Sequence, residues 1–513
     1  MTADSPVSPL APRAFIFWAA CVAISIGVAL HLPMLAMAHQ MGNRISGMGM
    51  DPWMWIGMAL ILAGVPAAVY GALPPVRPRH GRDAGTLFEA PDDTPLGRWH
   101  AGVLIVLTLG LVIDVMKPAT LGFVLPGLAS EYGIERSTAA LLPLIALIGT
   151  TIGSFAWGWL ADRYGRRVSI MLSTILFVST SICGAMPWFE LNLLMCFLMG
   201  ASAGGMLPVV YTLLAELMPP RHRSWVLVLV GGTGLVGGYL AASAAAHLFE
   251  PEYGWRSLWL QGFPTGILLL ALSRLIPESP LFLAEQGRTD ELAEIASKFG
   301  IVRRPREAIS TEVRSKRHRG LTPALVMAAV AWSFVNFGLL LWLPSDLQER
   351  GYSAALASGI IASSALVALP TIMLAAFFYA RLSSKWTLVG TIVLTMIGLL
   401  GALLPDNWLS QPAFVVTLIA VLIVGSNGLI AVLLPYAAEN YPLGTRGRST
   451  GVVAGSSKFG GVAVQGLALA GLIPTLEGAA LALLAPMALS AVMVSYAGRE
   501  TRGRSLRQLE VDE

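Results

Sequence analysis

The sequence predicts an all-α membrane protein: two six-helix bundles related by an internal repeat, with two further spanning helices in front of them. Three observations carry that prediction. Of the 513 residues, 55% are hydrophobic and 12% charged, against roughly 25% charged in soluble domains, so most of this chain has lipid as its solvent. Apolar stretches of spanning length, roughly 17–25 residues each, recur about fourteen times. The later ones form two sets that repeat a local context: Ala215-Glu216 leads through Pro219 to Arg223, and Ala438-Glu439 leads through Pro442 to Arg446, each followed by a glycine-rich helix. Parallel repeats of this kind build paired bundles around a site near the bilayer midplane.

In chain order, the two leading stretches lie near 15–38 and 51–73, and residues 1–98 hold them together with an N-terminal segment and a linker. Only Arg13 precedes the first stretch and no small-residue cleavage site follows it, so a retained helix is expected rather than a signal peptide. The end of the first stretch and the segment leading to the second carry a run rich in His31, Met34, Met37, His39, Met41, Met48 and Met50. Thioether and imidazole suit a cuprous ion, but no ligand spacing stands out and methionine is also a flexible filler of apolar interfaces; no metal or other cofactor is expected. The first bundle, residues 99–276, has its stretches near 100–128, 138–160, 168–187, 190–213, 225–248 and 256–276. A segment of mixed charge, 277–321, follows. The second bundle, 322–497, has stretches near 322–345, 353–379, 387–405, 411–437, 449–470 and 472–497, and 498–513 form a tail.

Lysine and arginine set the orientation. Loops holding Arg77, Arg79 and Arg82, then Arg163, Arg166 and Arg167, then Arg221 and Arg223, Arg381 and Lys385, and Arg446 and Arg448 are assigned to the cytoplasm; the opposite loops hold little besides Arg44, Arg136, Arg256 and Arg350. Both termini are then cytoplasmic, in a multi-pass protein of a bacterial inner membrane. The net charge of +4 resides in these loops, so no nucleic-acid partner is called for. Cys21, Cys183 and Cys196 all fall inside apolar stretches and offer neither a disulfide framework nor a metal-thiolate spacing.

The gap between the second and third body stretches reads GWLADRYGRR, Gly158 to Arg167. Gly158 permits close helix approach, Asp162 offers a carboxylate, Gly165 allows a tight turn, and Arg163, Arg166 and Arg167 hold the loop at the membrane surface. This run resembles the signature loop of major facilitator superfamily transporters. PESPLFL at Pro277–Leu283 and GRETRGRSL at Gly498–Leu506 look like the segments closing the two halves of sugar porters and organic-acid symporters, while GWR at Gly254–Arg256 and NFGLLLWLP at Asn336–Pro344 lean toward aromatic-acid and metabolite symporters. The resemblance implies a major facilitator fold and alternating access. Asp162, with Glu216 and Arg223 and with Glu439 and Arg446, is expected to form gating ion pairs at cytoplasmic helix ends. The matching loop of the second half reads YARLSSKW, with Ala380 in place of the aspartate.

Gly232-Thr233-Gly234-Leu235-Val236-Gly237 fits the dinucleotide fingerprint but lacks its strand and its βαβ unit. Glycines there, and Gly455, Gly460, Gly461 and Gly466 in the eleventh body helix, are expected to let helices approach closely. Asp114 and Lys117 lie near the middle of the first body helix, on one face, and are expected to neutralise each other; Lys458 is a further cation near the centre of the eleventh. Organic-acid symporters carry a second acid where this chain has Lys117, and related porters an arginine where it has Cys196. Asn336, Trp342, Asn427 and Tyr436 complete the candidate substrate and proton site. Two midplane cations against one acid point to an anion. The expected function is proton-coupled symport of a small organic anion by a monomer, with an uncoupled facilitator or exporter, or a non-transporting membrane sensor, as alternatives. No nucleophile, metal cluster or phosphate loop points to an enzyme. Residues 1–98 are expected to be dispensable for the transport step, because the repeated body holds every midplane charge.

Overall fold

The computed structural model describes residues 11–74, 86–305, 320–405, 408, 411–441, 446–472 and 475–501. Among these residues 14 helical spans are long and apolar enough to cross a membrane, each on one of the apolar stretches of the sequence. Lipid supplies no partner for backbone N–H and C=O groups, so each crossing satisfies its own by helix formation.

The two leading spans are α1 (Ala11–Ala29) continued by α2 (Leu32–Gln40), and α3 (Pro52–Ala72), which starts where the Asp51 carboxylate accepts the Met54 N–H. Strand β1 (Thr86–Glu89) follows. The first half contains α4 (Arg98–Tyr132), a single turn α5 (Arg136–Ala139), α6 (Leu141–Tyr164), α7 (Arg166–Ser179), α8 (Phe189–Ala203), α9 (Met206–Leu217), α10 (Pro220–Tyr253) and α11 (Gly262–Leu272). A 3-10 turn, Thr180–Ala185, finishes the α7 span, and Gly204-Gly205 interrupts the span shared by α8 and α9. Next come α12 (Pro280–Glu285), α13 (Thr289–Phe299) and β2 (Val302–Pro305). The second half has α14 (Leu321–Ser333), a π-helical turn Phe334–Leu340, α15 (Leu343–Glu349), α16 (Ala354–Ala368), α17 (Thr371–Arg381), α18 (Ser384–Gly401), α19 (Pro412–Asn440), α20 (Arg446–Leu469) and α21 (Leu476–Ala497). Pro370 separates α16 from α17, as proline does when it removes a helical N–H.

In a bilayer small residues, rather than the hydrophobic effect, bring helices together. A Cβ on Gly234 would lie 2.5 Å from Leu111 Cβ, and one on Gly238 2.6 Å from Val115 Cβ. The glycines of the dinucleotide-like run are thus the seam between α10 and α4. In α20, Gly460 and Gly461 abut Ser333 and Phe337, but Gly455 and Gly466 face open space, so only one face of that helix is a packing seam.

We call the face carrying α12 and α13 the base, and the opposite face the crown. At the base β1 and β2 pair antiparallel, Phe88 opposite Arg303, which joins the linker after the leading helices to the segment between the two halves.

Candidate functional site

Four candidate residues share one depth. Asp114 in α4, Asn336 in the π-helical turn, Asn427 in α19 and Lys458 in α20 each lie within about one residue, or ~1.5 Å, of the centre of their span. They come from both halves. The charge acting on Asp114 is Lys458 of the opposite half, and the charge acting on Lys458 is Asp114. Neither asparagine side chain has a hydrogen-bond partner among the described residues, and beside Asn427 the buried Ser426 hydroxyl is also unpaired. π-helical turns mark functional positions because they release backbone groups from the regular ladder; here the turn ends with the Leu341 N–H on the Asn336 carbonyl at 3.1 Å. It is pinned to α20, where Ser333 Oγ donates to the Ser457 carbonyl. An aromatic wall adjoins it: the Trp332 and Phe337 rings meet edge to face at 5.8 Å, and the buried Trp332 Nε1–H has no acceptor. Orphaned donors and amides at one depth, between an acid and a base on opposite bundles, suit a small polar ligand with an apolar body.

Lys117 is elsewhere. Its side chain is sealed inside the first half, where Nζ donates to the Phe177 carbonyl and to Thr180 Oγ1, both at 2.6 Å, and sits 4.5 Å from the Phe177 ring centroid. The expected neutralisation by Asp114 does not form. Lysine needs negative charge, and the C-terminal end of α7, where the helix gives way to its 3-10 turn, offers it in the partial negative charge of its last carbonyls. Lys117→Met keeps the stem, and the Thr180 hydroxyl still donates to Phe177 O at 3.0 Å, so the expected stability change is within about 1 kcal/mol. Thermal unfolding checks that value. A substrate-binding measurement on the same variant is expected to match the parent, and loss of binding would return Lys117 to the site.

The crown is closed between the halves. Arg136 of α5 reaches Asp346 Oδ1 at 2.5 Å and Glu349 Oε1 at 2.7 Å on α15, the Tyr239 hydroxyl donates to Leu340 O at 2.7 Å, and a Cβ on Gly122 would lie 2.5 Å from Leu341 O. Trp342 belongs here, buried with Arg136 5.0 Å from its ring centroid, about 9 Å along the helix from Asn336. Partly exposed pairs contribute about 0.2–1 kcal/mol each, so losing both in Arg136→Ala is expected to shift the open-to-closed ratio of the crown roughly two- to thirtyfold. Labelling of Leu341→Cys by an impermeant maleimide reads the shift; an unchanged rate denies Arg136 a gating role.

At the base the GWLADRYGRR loop is organised around Arg166. A Cβ on Gly158 meets nothing within 4 Å, so that glycine does not serve the close approach expected of it. Gly165, at φ +107°, makes the tight turn, and a Cβ there would strike the Glu278 carboxylate at 2.3 Å. Glu278 caps α7 by accepting the N–H groups of Arg166 at 2.7 Å and Arg167 at 3.4 Å. Burial pushes its carboxyl above the usual range, and these N–H groups and the Arg166 charge pull the other way. Glu216 pairs with Arg166 at 3.1 Å, not with Arg223, whose Nη2 donates to Met218 O. Asp162 stands 3.6 Å from Arg166 with its side chain 75% exposed, and Arg163 lies over the Trp159 and Tyr164 rings.

The second half repeats this arrangement with a serine in place of Arg166. Glu500 caps α18 as Glu278 caps α7, accepting the Ser384 N–H at 2.9 Å, and Ser384 occupies the Arg166 position of YARLSSKW. Glu439, the partner of Glu216 in the repeat, is met by the hydroxyls of Tyr379 at 2.7 Å and Thr501 at 2.6 Å; the Arg446 side chain lies outside the described residues. Tyr436 is also at this end, about 14 Å along α19 from Asn427, its hydroxyl bonded to the Arg499 carbonyl and N–H. Sequence reasoning missed Glu278 and Glu500 as caps, although both stand in the segments that resemble half-closing motifs. Register against the repeat was the signal that identifies them.

The family model described as Major Facilitator Superfamily matches residues 107–465. A niacin transporter of Acinetobacter baylyi, NiaP, is 28% identical over 445 residues, covering 82% of this chain and 98% of its own. A 4-hydroxybenzoate transporter, PcaK, of the same organism is 28% identical over 410 residues, 75% of this chain and 87% of its own. Among solved structures, the xylose transporter XylE of E. coli in a partially occluded inward-open conformation aligns with a TM-score of 0.62 at 17% identity, over 80% of this chain and all of that one; at that identity the likeness is one of fold. With a repeated body of twelve spans, a base loop organised as described and a family match over most of its length, this multi-pass membrane transporter belongs to the major facilitator superfamily.

Proposed function

We propose that the protein is a proton-coupled symporter of a small aromatic monocarboxylate, acting as a monomer in the inner membrane with both termini cytoplasmic, so that the base faces the cytoplasm. The observation that carries this reading is the depth that Asp114 and Lys458 share, one in each half, at the centre of their spans. An ionisable residue at that depth is costly unless paired or used. While Asp114 is ionised it occupies Lys458. A proton on Asp114 frees the ammonium for a carboxylate, and proton and anion then load together; departure of the anion lets the pair re-form as the proton leaves. Niacin and 4-hydroxybenzoate, the substrates named for the relatives, both join one carboxylate to one ring, and the Trp332–Phe337 wall with the unpaired Asn336 and Asn427 side chains supports such a shape. The test is uptake of radiolabelled 4-hydroxybenzoate and nicotinate into liposomes holding the purified protein. Accumulation driven by an inward proton gradient and collapsed by a protonophore is expected. Equilibration without accumulation would mean a facilitator, and binding without exchange a sensor; either overturns the symport reading.

A further inference from the structure

The two leading helices are fastened to the first half at both faces of the membrane. At the crown, Glu131 at the end of α4 accepts the N–H groups of Ile45 at 2.8 Å and Ser46 at 2.9 Å through Oε1. The same carboxylate holds Arg256 and the Trp255 indole N–H. Around that point Gly47 N–H reaches Pro187 O at 3.3 Å, and Asn43, in the left-handed region at φ 62°, donates from Nδ2 to Glu252 O at 3.1 Å. Inside the bilayer α1 and α3 pack on α7. At the base Arg274 lies 4.9 Å from the Trp18 ring centroid, and β1 pairs with β2. Each of these partners belongs to the first half or to the base segment that follows it.

The crown attachment has a specific address. Glu131 precedes by five positions Arg136, which closes the crown on Asp346 and Glu349, and only Gly133 in its left-handed turn and a short extended stretch separate α4 from α5. Whatever fixes Glu131 fixes the root of that turn. A backbone N–H pair is a directional fastening, because both donors must be presented together for one carboxylate oxygen.

We propose that the two leading helices are a brace: they move with the first half as one body, and their connecting loop holds the Arg136 turn in register with its carboxylates. Residues 1–98 then contribute to gating, where the sequence alone made them dispensable.

Ser46→Pro removes one of the two N–H donors and the Ser46 hydroxyl contact in the full-length protein. Hydrogen exchange in nanodiscs is read at residues 131–140, with residues 280–299 as the control. A several-fold faster exchange at 131–140, an unchanged control and a smaller effect in Ser46→Ala are expected. Unchanged exchange at 131–140 in a Ser46→Pro protein whose own loop has lost protection overturns the brace. A second measurement does not depend on that variant folding: Asn43→Cys with Glu252→Cys, bridged by a short bis-maleimide, is expected to exchange 4-hydroxybenzoate across liposomes at the unbridged rate. Loss of exchange on bridging means that the hairpin moves against the first half, and the proposal fails. Hydrogen exchange needs no substrate, so it decides the brace even where the proposed substrate is wrong.

Discussion

Lys458→Ala is expected to abolish binding of 4-hydroxybenzoate and nicotinate, while Asp114→Asn binds both but no longer accumulates them against a gradient. Lys458 is the cation at the shared depth of the four central residues, and its partner Asp114 lies on the other half. Truncating one member of a desolvated charge pair typically costs 2–5 kcal/mol, so a loss of affinity of at least about 30-fold is anticipated. The pH dependence follows from the sign of the coupling. An ionised Asp114 competes with the anion for Lys458, so over the pH range in which a benzoate-type carboxylate stays ionised, binding by the parent strengthens as pH falls. Asparagine cannot ionise, so the variant's affinity is expected to be flat over that range and at the acid-side value. Binding by scintillation proximity and uptake in liposomes check both arms. Parent-like affinity in Lys458→Ala, or full proton-driven accumulation by Asp114→Asn, would remove the pair from the mechanism.

Arg256→Ala is expected to produce the largest loss of stability of any single change at the crown. Its guanidinium is 2% exposed and spends every N–H: Nε and Nη2 on the Glu131 carboxylate at 3.0 and 2.8 Å, Nη1 on the Gly184 and Met186 carbonyls, and Nη2 again on the Tyr132 hydroxyl. It thereby ties α4, the end of the α7 span and the start of the sixth body span at one point. Removing one partner of a buried ion pair costs about 3–5 kcal/mol because the other charge is left uncompensated, and Glu131 is only 3% exposed. Arg256→Lys is expected to recover little, since an ammonium cannot span a carboxylate and two carbonyls at once. Thermal unfolding followed by loss of monodisperse protein reads the effect. A midpoint near that of the parent in Arg256→Ala would mean that water enters and solvates Glu131.

The spans, their number and the repeat were legible because lipid imposes them residue by residue: a stretch crosses if it is long and apolar, whatever its neighbours do. The tight turn at Gly165 was legible for a similar reason, since it depends on local backbone geometry. Pairing was not. Asp114 and Lys117 share a face of one helix, yet Lys117 turns into the first half toward the Phe177 carbonyl and the Thr180 hydroxyl and does not meet Asp114. Glu216 and Arg223 sit close in the chain, yet Arg166, fifty positions away, takes the glutamate. Gly158 carries the family spacing without the contact that spacing suggested, and Trp342 and Tyr436 lie toward opposite ends of their spans from the centre.

The sequence by itself determined the solvent, the crossings, the two-fold repeat and the residue types buried at the midplane, because each is set by local composition and by periodicity along one helix. Only the tertiary structure decided which charges meet, which half each side chain enters, and that the leading helices are fastened to the first half. Those outcomes depend on the rotation of each helix about its own axis, and in a bilayer that rotation is chosen by small-residue seams and hydrogen bonds with a neighbouring helix, so one helix read alone does not contain it.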